Sequence, residues 1–445
     1  MTHRVTRRTF VKTAAVAGLA VPYTAVNRVR AQSANETLNI AFVGVGGICG
    51  SHTRGAFDAG CACPCYCDVD TRRMGNAASR WPDAKGYTDY REMFDKHHQE
   101  IDAVMIGTPD HHHFPATMIA MQLGKHCYTQ KPLTHTPWEA RQLTLAARKY
   151  KLATQMGNQG HAGEGIRIIY EWIRSGALGE ITEVHTWTDR PIWPQGIGRP
   201  DGEDEIPAEL DWDKWIGPAP MRPFKNGVYH AFKWRGWVDF GTGALGDMAC
   251  HTMDCMFLAL EPGYPTAVQP VARMHLGETY PNATVVKWEF PKRGNRRAFD
   301  AYWYDGGLRP PKLPEMNFDE DMPGTGNLFV GTKASMIVSG SYGNQPRVLF
   351  RDGRTEVDTP PQLLERSPGH MAEWFMACRE EKPWNYPGSN FTYAAPLTET
   401  VLLGNVALRV NQRIEWDGRK LEVTNLPEAN RYVTKEYREG WRYTL

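Results

Sequence analysis

At 445 residues, 41% hydrophobic and 23% charged, the chain has the make-up of a soluble globular protein of about two to three domains at ~150 residues each. Its formal charge is +1, but six basic residues and no acid fall in the first 31 positions, leaving 45 basic against 50 acidic residues in the remainder. A mildly acidic body does not attract nucleic acid or anionic membrane by its overall field, and no stretch reaches 18 apolar residues, which excludes a transmembrane helix.

The chain opens on Thr6-Arg7-Arg8-Thr9-Phe10-Val11-Lys12, a small apolar run at 13–21 and the sequence Val29-Arg30-Ala31. This reads as a twin-arginine export signal over residues 1–31, cleaved after Ala31, for a periplasmic or otherwise extracytoplasmic protein. A buried strand is expected at 38–44, a helix at 51–59 and a second strand at 61–67 that ends at Asp68. Cys61, Cys63, Cys65 and Cys67 alternate along that strand, so they should share one face as apolar filler, spaced too far apart to converge on a metal. Helix signals at 70–79 and 90–94 precede a strand at 103–106. Asp110 is placed to cap the helix that Gly124 closes. Short strands at 126–129 and 152–156 flank a helix at 138–150. Alternating strand and helix predict an α/β fold with a doubly wound parallel sheet over 38–157. After Gly157 the chain becomes rich in Trp, Pro and Gly, then in strand-forming runs at 181–188, 267–276, 283–290, 298–304, 328–332 and 334–339. Helices at 369–380 and 394–410 close it. Residues 158–445 are therefore expected to form an α+β domain with an open, mostly antiparallel sheet.

The chemistry starts at Gly44-Val-Gly46-Gly47-Ile48-Cys49. Gly44 permits the tight turn, Gly46 lets the backbone approach a pyrophosphate, and the following helix start presents free N–H groups to that anion. The third glycine of the fingerprint is Cys49, small enough for close helix–strand packing. Asp68 stands where a carboxylate accepts from a ribose diol, which favours NAD, with NADP kept open by Arg72 and Arg73. Asp247 and His251 are four apart on one helix face, and Lys131 precedes a proline. Together they suit alcohol oxidation: a base for the hydroxyl proton and a cation for the developing alkoxide. Spacing alone also fits an ordinary helix pair and a surface lysine. His111, His112 and His113 at a helix start point in different directions, so no metal is expected.

These residues resemble the Gfo/Idh/MocA family, named for glucose–fructose oxidoreductase, inositol dehydrogenase and a rhizopine-catabolism protein. The marks are Gly44-Val-Gly46-Gly47, Thr108-Pro109-Asp110 with His113, Gln130-Lys131-Pro132, and Asp247 with His251. The resemblance implies that Lys131, Asp247 and His251 are catalytic. It also implies that Thr108, Pro109, His113 and Gln130 line the nicotinamide side, and that the second domain holds the substrate and a homo-oligomer interface. The family usually has Glu where Gln130 stands. An exported subgroup is similar at Gln155-Met-Gly-Asn158-Gln159-Gly-His161, Trp193-Pro-Gln195-Gly and Trp234-Arg235-Gly-Trp237. From these, Asn158, Gln159, His161, Trp193 and Arg235 are expected to bind a carbohydrate, with Trp187, Trp193, Trp234 and Trp237 as candidate stacking platforms. The implied activity is NAD-dependent hydride transfer from a ring carbinol of a sugar, cyclitol or glycoside, with the cofactor tightly held. His251 would act as base, Lys131 would stabilise the oxyanion, and Asp247 would orient the histidine or a hydroxyl. The alternatives are a redox-neutral glycosidase that oxidises, eliminates and reduces back on a retained NAD, and a non-catalytic sugar-binding protein.

Overall fold

The computed structural model describes residues 37–271, 277–354 and 359–442. The export lead and the second half of the strand expected at 267–276 lie outside the described residues. β1 (Ile40–Val43) is the apolar run Ile-Ala-Phe-Val, buried on both faces as a central parallel strand requires. It is joined by β2 (Cys65–Cys67), β3 (Lys85–Tyr87), β4 (Ala103–Ile106), β5 (His126–Thr129) and β6 (Thr154–Met156) in a wholly parallel sheet of order 3-2-1-4-5-6. The connections carry α1 (Cys49–Asp58), α2 (Gly75–Arg80), α3 (Tyr90–His97), α4 (Asp110–Gln122) and α5 (Pro137–Tyr150). The strand order reverses between β1 and β4, and a ligand cleft belongs outside the carboxyl ends of the strands at such a point.

Two local expectations are corrected. The cysteines do not share a face. The chain bends at Pro64 and β2 begins only at Cys65, so Cys65 and Cys67 face one hydrophobic core while Cys61 and Cys63 face another. Asp110 does not cap α4. Pro109 holds the cap position, and the Asp110 carboxylate instead accepts from Thr242 Oγ1 at 2.7 Å. Gly124 does close that helix, at φ +74°.

The rest of the chain contains α6 (Glu164–Arg174), β7 (Ile181–Trp187), α7 (Trp212–Ile216), α8 (Gly243–Thr252), α9 (Asp254–Leu260), β8 (Ala267–Pro270), β9 (Val285–Phe290), β10 (Phe299–Tyr304), β11 (Gly326–Gly331), β12 (Ala334–Ser339), β13 (Asn344–Phe350), α10 (His370–Cys378), α11 (Phe391–Val410), β14 (Ile414–Asp417) and β15 (Glu422–Val423). The strands form a second sheet of order 13-12-11-7-10-9-8-14-15, antiparallel except where β7 meets β10. The fold is thus a parallel Rossmann sheet followed by a mixed, mostly antiparallel open sheet.

α8 is buried along its whole length, so it packs on all sides rather than by one stripe. α11, twenty residues and about 30 Å long, lies against it. The approach is close because a Cβ on Gly404 would lie 2.6 Å from the Leu245 side chain and 2.7 Å from that of Trp288. Trp288 Nε1 then donates to Thr400 O at 2.9 Å, fixing helix to sheet. A buried ion pair, Arg141 with Glu399 at 2.7 Å, ties α11 to α5 of the first sheet. These contacts hold α8 against the carboxyl edge of the Rossmann sheet.

Candidate active site

A cavity of about 620 Å³ opens beyond the carboxyl ends of β1, β2, β4 and β5, within the usual range for a ligand site. Its floor is the glycine loop after β1. Gly44 takes φ +79° and Gly47 φ +56°, conformations that a side chain would strain. Asp68 staples this loop: Oδ2 accepts from Val45 N at 3.0 Å and Gly46 N at 3.3 Å, and Oδ1 from Asp70 N at 3.0 Å. That leaves about one of the carboxylate's four acceptor sites for a ribose hydroxyl. Arg72 is clamped on Asp70 at 2.7 Å and so is committed. Arg73 crosses the open face of Gly46, where a Cβ would lie 2.0 Å from its Nε. A glycine cradle with a cation across it fits a dinucleotide pyrophosphate.

Cys49 does not reach the cavity. It lies under the loop, in the space a Cβ on Gly107 would occupy, 1.8 Å from that position. The glycine missing from the fingerprint is therefore supplied from β4's exit: Gly107 makes the room that a third glycine in the loop would otherwise give. Burial pushes the Cys49 thiol up to about 12, so it is an inert filler. Gln130 lines the cavity and contacts His52 Nε2 at 3.1 Å. Its amide lies against Gly157, where a Cβ would stand 2.4 Å away.

The three residues expected to be catalytic all line the cavity. Lys131 Nζ donates to Asp247 Oδ1 at 2.8 Å and to the Asp247 carbonyl at 2.9 Å. Arg235 Nε donates to the same Oδ1 at 3.1 Å. Burial alone would raise the Asp247 carboxyl, but the two cations outweigh it and hold it below the usual range. Asp247 Oδ1 is thus shared by Lys131 and Arg235, and among the described residues no hydrogen bond joins Asp247 to His251, so of the two expected roles, orienting the histidine or a hydroxyl, the first has no bond behind it. His251 Nδ1 is buried without a hydrogen-bond partner. Burial first, and the Lys131 charge second, pull the imidazole down to about 3. It is a neutral imidazole that lines the cavity near the Lys131 ammonium.

Gln159, Trp193 and Arg235 also line the cavity, as do Thr108 and Pro109. Asn158 and His161 are elsewhere. Both bond Asp254 at 3.0 Å in a buried cluster that Tyr393 joins at 2.5 Å. His113 sits behind the wall, its ring nitrogens against Pro132 O at 2.7 Å and Thr108 O at 2.9 Å. It thus braces the turns that present Lys131 and Thr108. His111 and His112 both lie against Trp215 O. The tryptophans are not open platforms. Trp187 and Trp237 are wholly buried, and Trp193 and Trp234 nearly so. Trp193 and Trp234, with Phe232, surround the Arg235 guanidinium, the last two at 4.4 and 4.5 Å. The exposed rings at the cavity are Phe232 and Tyr342, 47% and 39% exposed. Sequence reasoning passed over both, because neither carries a motif. It also passed over Lys214, Trp215, His230 and Trp441, which line the same cavity as Asp68 and Tyr90. Only the fold brings those four there. Trp441 is held by the Arg91 guanidinium, 3.8 Å from its ring centroid, and edge-on to Tyr90 and His112.

The sheet, glycine cradle and cavity define a two-domain, dinucleotide-binding α/β protein. Family models agree: residues 38–158 match an oxidoreductase family's NAD-binding Rossmann fold and residues 182–273 its C-terminal alpha/beta domain. Both models are those of the Gfo/Idh/MocA oxidoreductase family, to whose two domains these residues are similar. It is 23% identical over 192 residues to levoglucosan dehydrogenase of Pseudarthrobacter phenanthrenivorans, covering 42% of this chain and 40% of the relative. It is 33% identical over 93 residues to a glycosyl hydrolase family 109 protein of Shewanella, covering 21% and 20%. The chain thus spans well under half the length of these curated relatives. In fold it is similar to the WlbA dehydrogenase of Bordetella pertussis, solved with NADH and UDP-GlcNAcA, at a TM-score of 0.59 and 16% identity, covering 86% of this chain and 99% of that one. The aldose-aldose oxidoreductase of Caulobacter crescentus gives 0.58 and 15%, covering 86% and 100%.

Proposed function

We propose that the protein is an exported, NAD-dependent oxidoreductase that takes hydrogen from a ring carbinol of a sugar, cyclitol or glycoside. The observation that carries this is the convergence of His251, Lys131 and Asp247 in a cavity that also contains the glycine cradle. Gly44, Gly46, Gly47, Ile48, Asp68 and Arg73 would hold the dinucleotide, and Thr108, Pro109 and Gln130 its nicotinamide end. When bound, the nicotinamide supplies a two-electron acceptor. His251 removes the hydroxyl proton from the carbinol. Lys131 is held by Asp247 so that its ammonium faces the oxygen as negative charge develops. Asp247 neutralises the buried pair of cations, and Arg235, braced by aromatic rings, bonds substrate hydroxyls. Asp68 would repel a 2′-phosphate, which supports NAD over NADP.

A second reading, the redox-neutral glycosidase, is supported by the 33% identity over 93 residues to a glycosyl hydrolase family 109 protein. One experiment separates the two. Protein purified under native conditions is weighed by mass spectrometry, then incubated with free sugars and with nitrophenyl glycosides without added NAD. Soluble NADH that accumulates only with added NAD marks the dehydrogenase. Nitrophenol released by protein carrying its own NAD, with no net NADH, marks the glycosidase. Neither product sinks both readings, and Lys131→Ala should lower either activity about a hundredfold or more. Export rests on the paired Arg7 and Arg8 in an acid-free lead, and an Arg7→Lys/Arg8→Lys variant should stay in the cytoplasm. The reading includes a homo-oligomer, which light scattering of the purified protein checks.

A further inference from the structure

The turn between β12 and β13 is built to hold one aromatic side chain at the catalytic groups. Gly340 and Gly343 take φ of +76° and +73°, so Ser341 and Tyr342 sit at the tip of a tight, glycine-bounded hairpin. The tip is pressed onto the start of α6 with no room for side chains between. A Cβ on Gly165 would lie 2.0 Å from Gly343 O, and a Cβ on Gly160 would lie 2.7 Å from the Tyr342 ring. Tyr342 thereby meets His251, ring centroids 5.2 Å apart and nearly perpendicular. Gln159 Nε2 donates to Tyr342 Oη at 3.2 Å. That bond uses the phenol as acceptor and leaves its own proton to give. Burial and the Asp247 carboxylate both push the phenol up, so the proton stays on it at neutral pH. Yet the side chain keeps 39% of its surface open, a large exposure for an aromatic ring this constrained.

We propose that Tyr342 is a substrate-contacting, specificity-determining residue: its ring is the platform for the apolar surface of a pyranose or cyclitol whose reacting carbinol lies at His251, and its phenol proton donates to a neighbouring hydroxyl of that ring. The inference rests on the oxidoreductase reading for the class of ligand. It goes beyond that reading in assigning recognition to an exposed tyrosine of the second sheet rather than to the tryptophans. Trp193 and Trp234 pack on Arg235, and Trp187 and Trp237 are wholly buried. Phe232, the other exposed ring, packs on Arg235, whereas Tyr342 packs on His251.

The test uses the full-length holoprotein with D-glucose, myo-inositol, levoglucosan and 4-nitrophenyl β-D-glucopyranoside as probes. Binding is read by saturation-transfer NMR and turnover by NADH or nitrophenol. For the best probe, Tyr342→Phe should raise Kd and KM about fivefold through the lost hydrogen bond. Tyr342→Ala should raise them about tenfold further through the lost ring. kcat should change less than either, and Tyr342→Trp should recover most of the binding lost in Tyr342→Ala. Gln159→Leu gives a second route if Tyr342→Ala melts early, because it frees the phenol without removing the ring and should raise KM by less than Tyr342→Phe does. Unchanged Kd in Tyr342→Ala, or a fall in kcat alone, overturns the platform. Probe binding to the parent protein that depends on Tyr342 but leads to no turnover supports the platform while the oxidoreductase reading fails. No binding of any probe to the parent overturns the inference.

Discussion

His251 is the residue whose chemistry differs most from its free state. Because burial and Lys131 hold it down to about 3 against an ordinary 6.5, it is already unprotonated at any pH where the protein works. kcat/KM should therefore show no acid limb centred near 6.5 between about pH 5 and about pH 8. A limb there, abolished in His251→Gln, would mean that the imidazole is solvated and charged in the free enzyme. The same residue shows what spacing could and could not convey. The Asp247–His251 interval placed both side chains on one helix face, and that is where they are. It could not show that Asp247 turns to two cations contributed from outside α8, because Lys131 and Arg235 come from segments 116 and 12 residues away in sequence. Asn158 and His161 were singled out beside Gln159 for the same sequence reason, yet only Gln159 reaches the cavity, since Asp254 draws the other two inward.

At the level of elements, the contact between α1 and the exit of β4 is the clearest case of one position compensating another. Cys49 in α1 and Gly107 after β4 share a single volume, and only one of them can carry a side chain toward it. Gly107→Ala should destabilise the protein by about 1–3 kcal/mol through overpacking. Adding Cys49→Gly should restore most of that loss, less about 1 kcal/mol for glycine near the helix start. Thermal melts of the two single variants and the double variant check this; simple additivity of the losses would mean that the two sites are not in contact. The apparent defect in the fingerprint was legible as a small residue, but its partner was not, because contact across a sheet is a tertiary fact. The regular elements were more legible. Buried four-residue runs such as β1 and β4, and long periodic helices such as α11, stand close to where hydrophobic pattern put them. β2 was over-extended because alternation of cysteines continues through Pro64, whereas the backbone does not. β3, β13, β14 and β15 escaped notice, since their exposed or charged residues dilute any strand pattern.

For the whole molecule, the distribution of buried imidazoles sets the response to acid. Burial holds His52, His113 and His126 at about 4, and His112, His251 and His370 at about 3. Each takes up a proton in the unfolded chain near 6.5 but resists it in the folded one. Their contribution to stability is complete above 6.5 and is lost as pH falls toward 3–4. Burial also lifts Asp110, Asp305 and Glu399 to about 7, and these act in the opposite direction over much the same interval. His111 and His135 are pulled down in the same way, so the depressed imidazoles outnumber the raised carboxyls and the unfolded state binds more protons as pH falls. Denaturant titrations at pH 7, 6 and 5 should show stability falling steadily with pH. Stability that is flat or rising over that range would show that the imidazoles are not buried neutral.

Lys214, Trp215, His230 and Trp441 line the cavity from outside the Rossmann portion. The Rossmann portion is often treated as an interchangeable part, to be grafted onto a new partner with its cofactor affinity intact. Here part of the cavity lining comes from chain more than 140 residues beyond Asp68 and as far along as Trp441. A chimaera built from residues 38–158 alone would inherit the cradle but not that lining. Its affinity for the dinucleotide would then be set by the graft's new neighbour rather than by the fingerprint it carries.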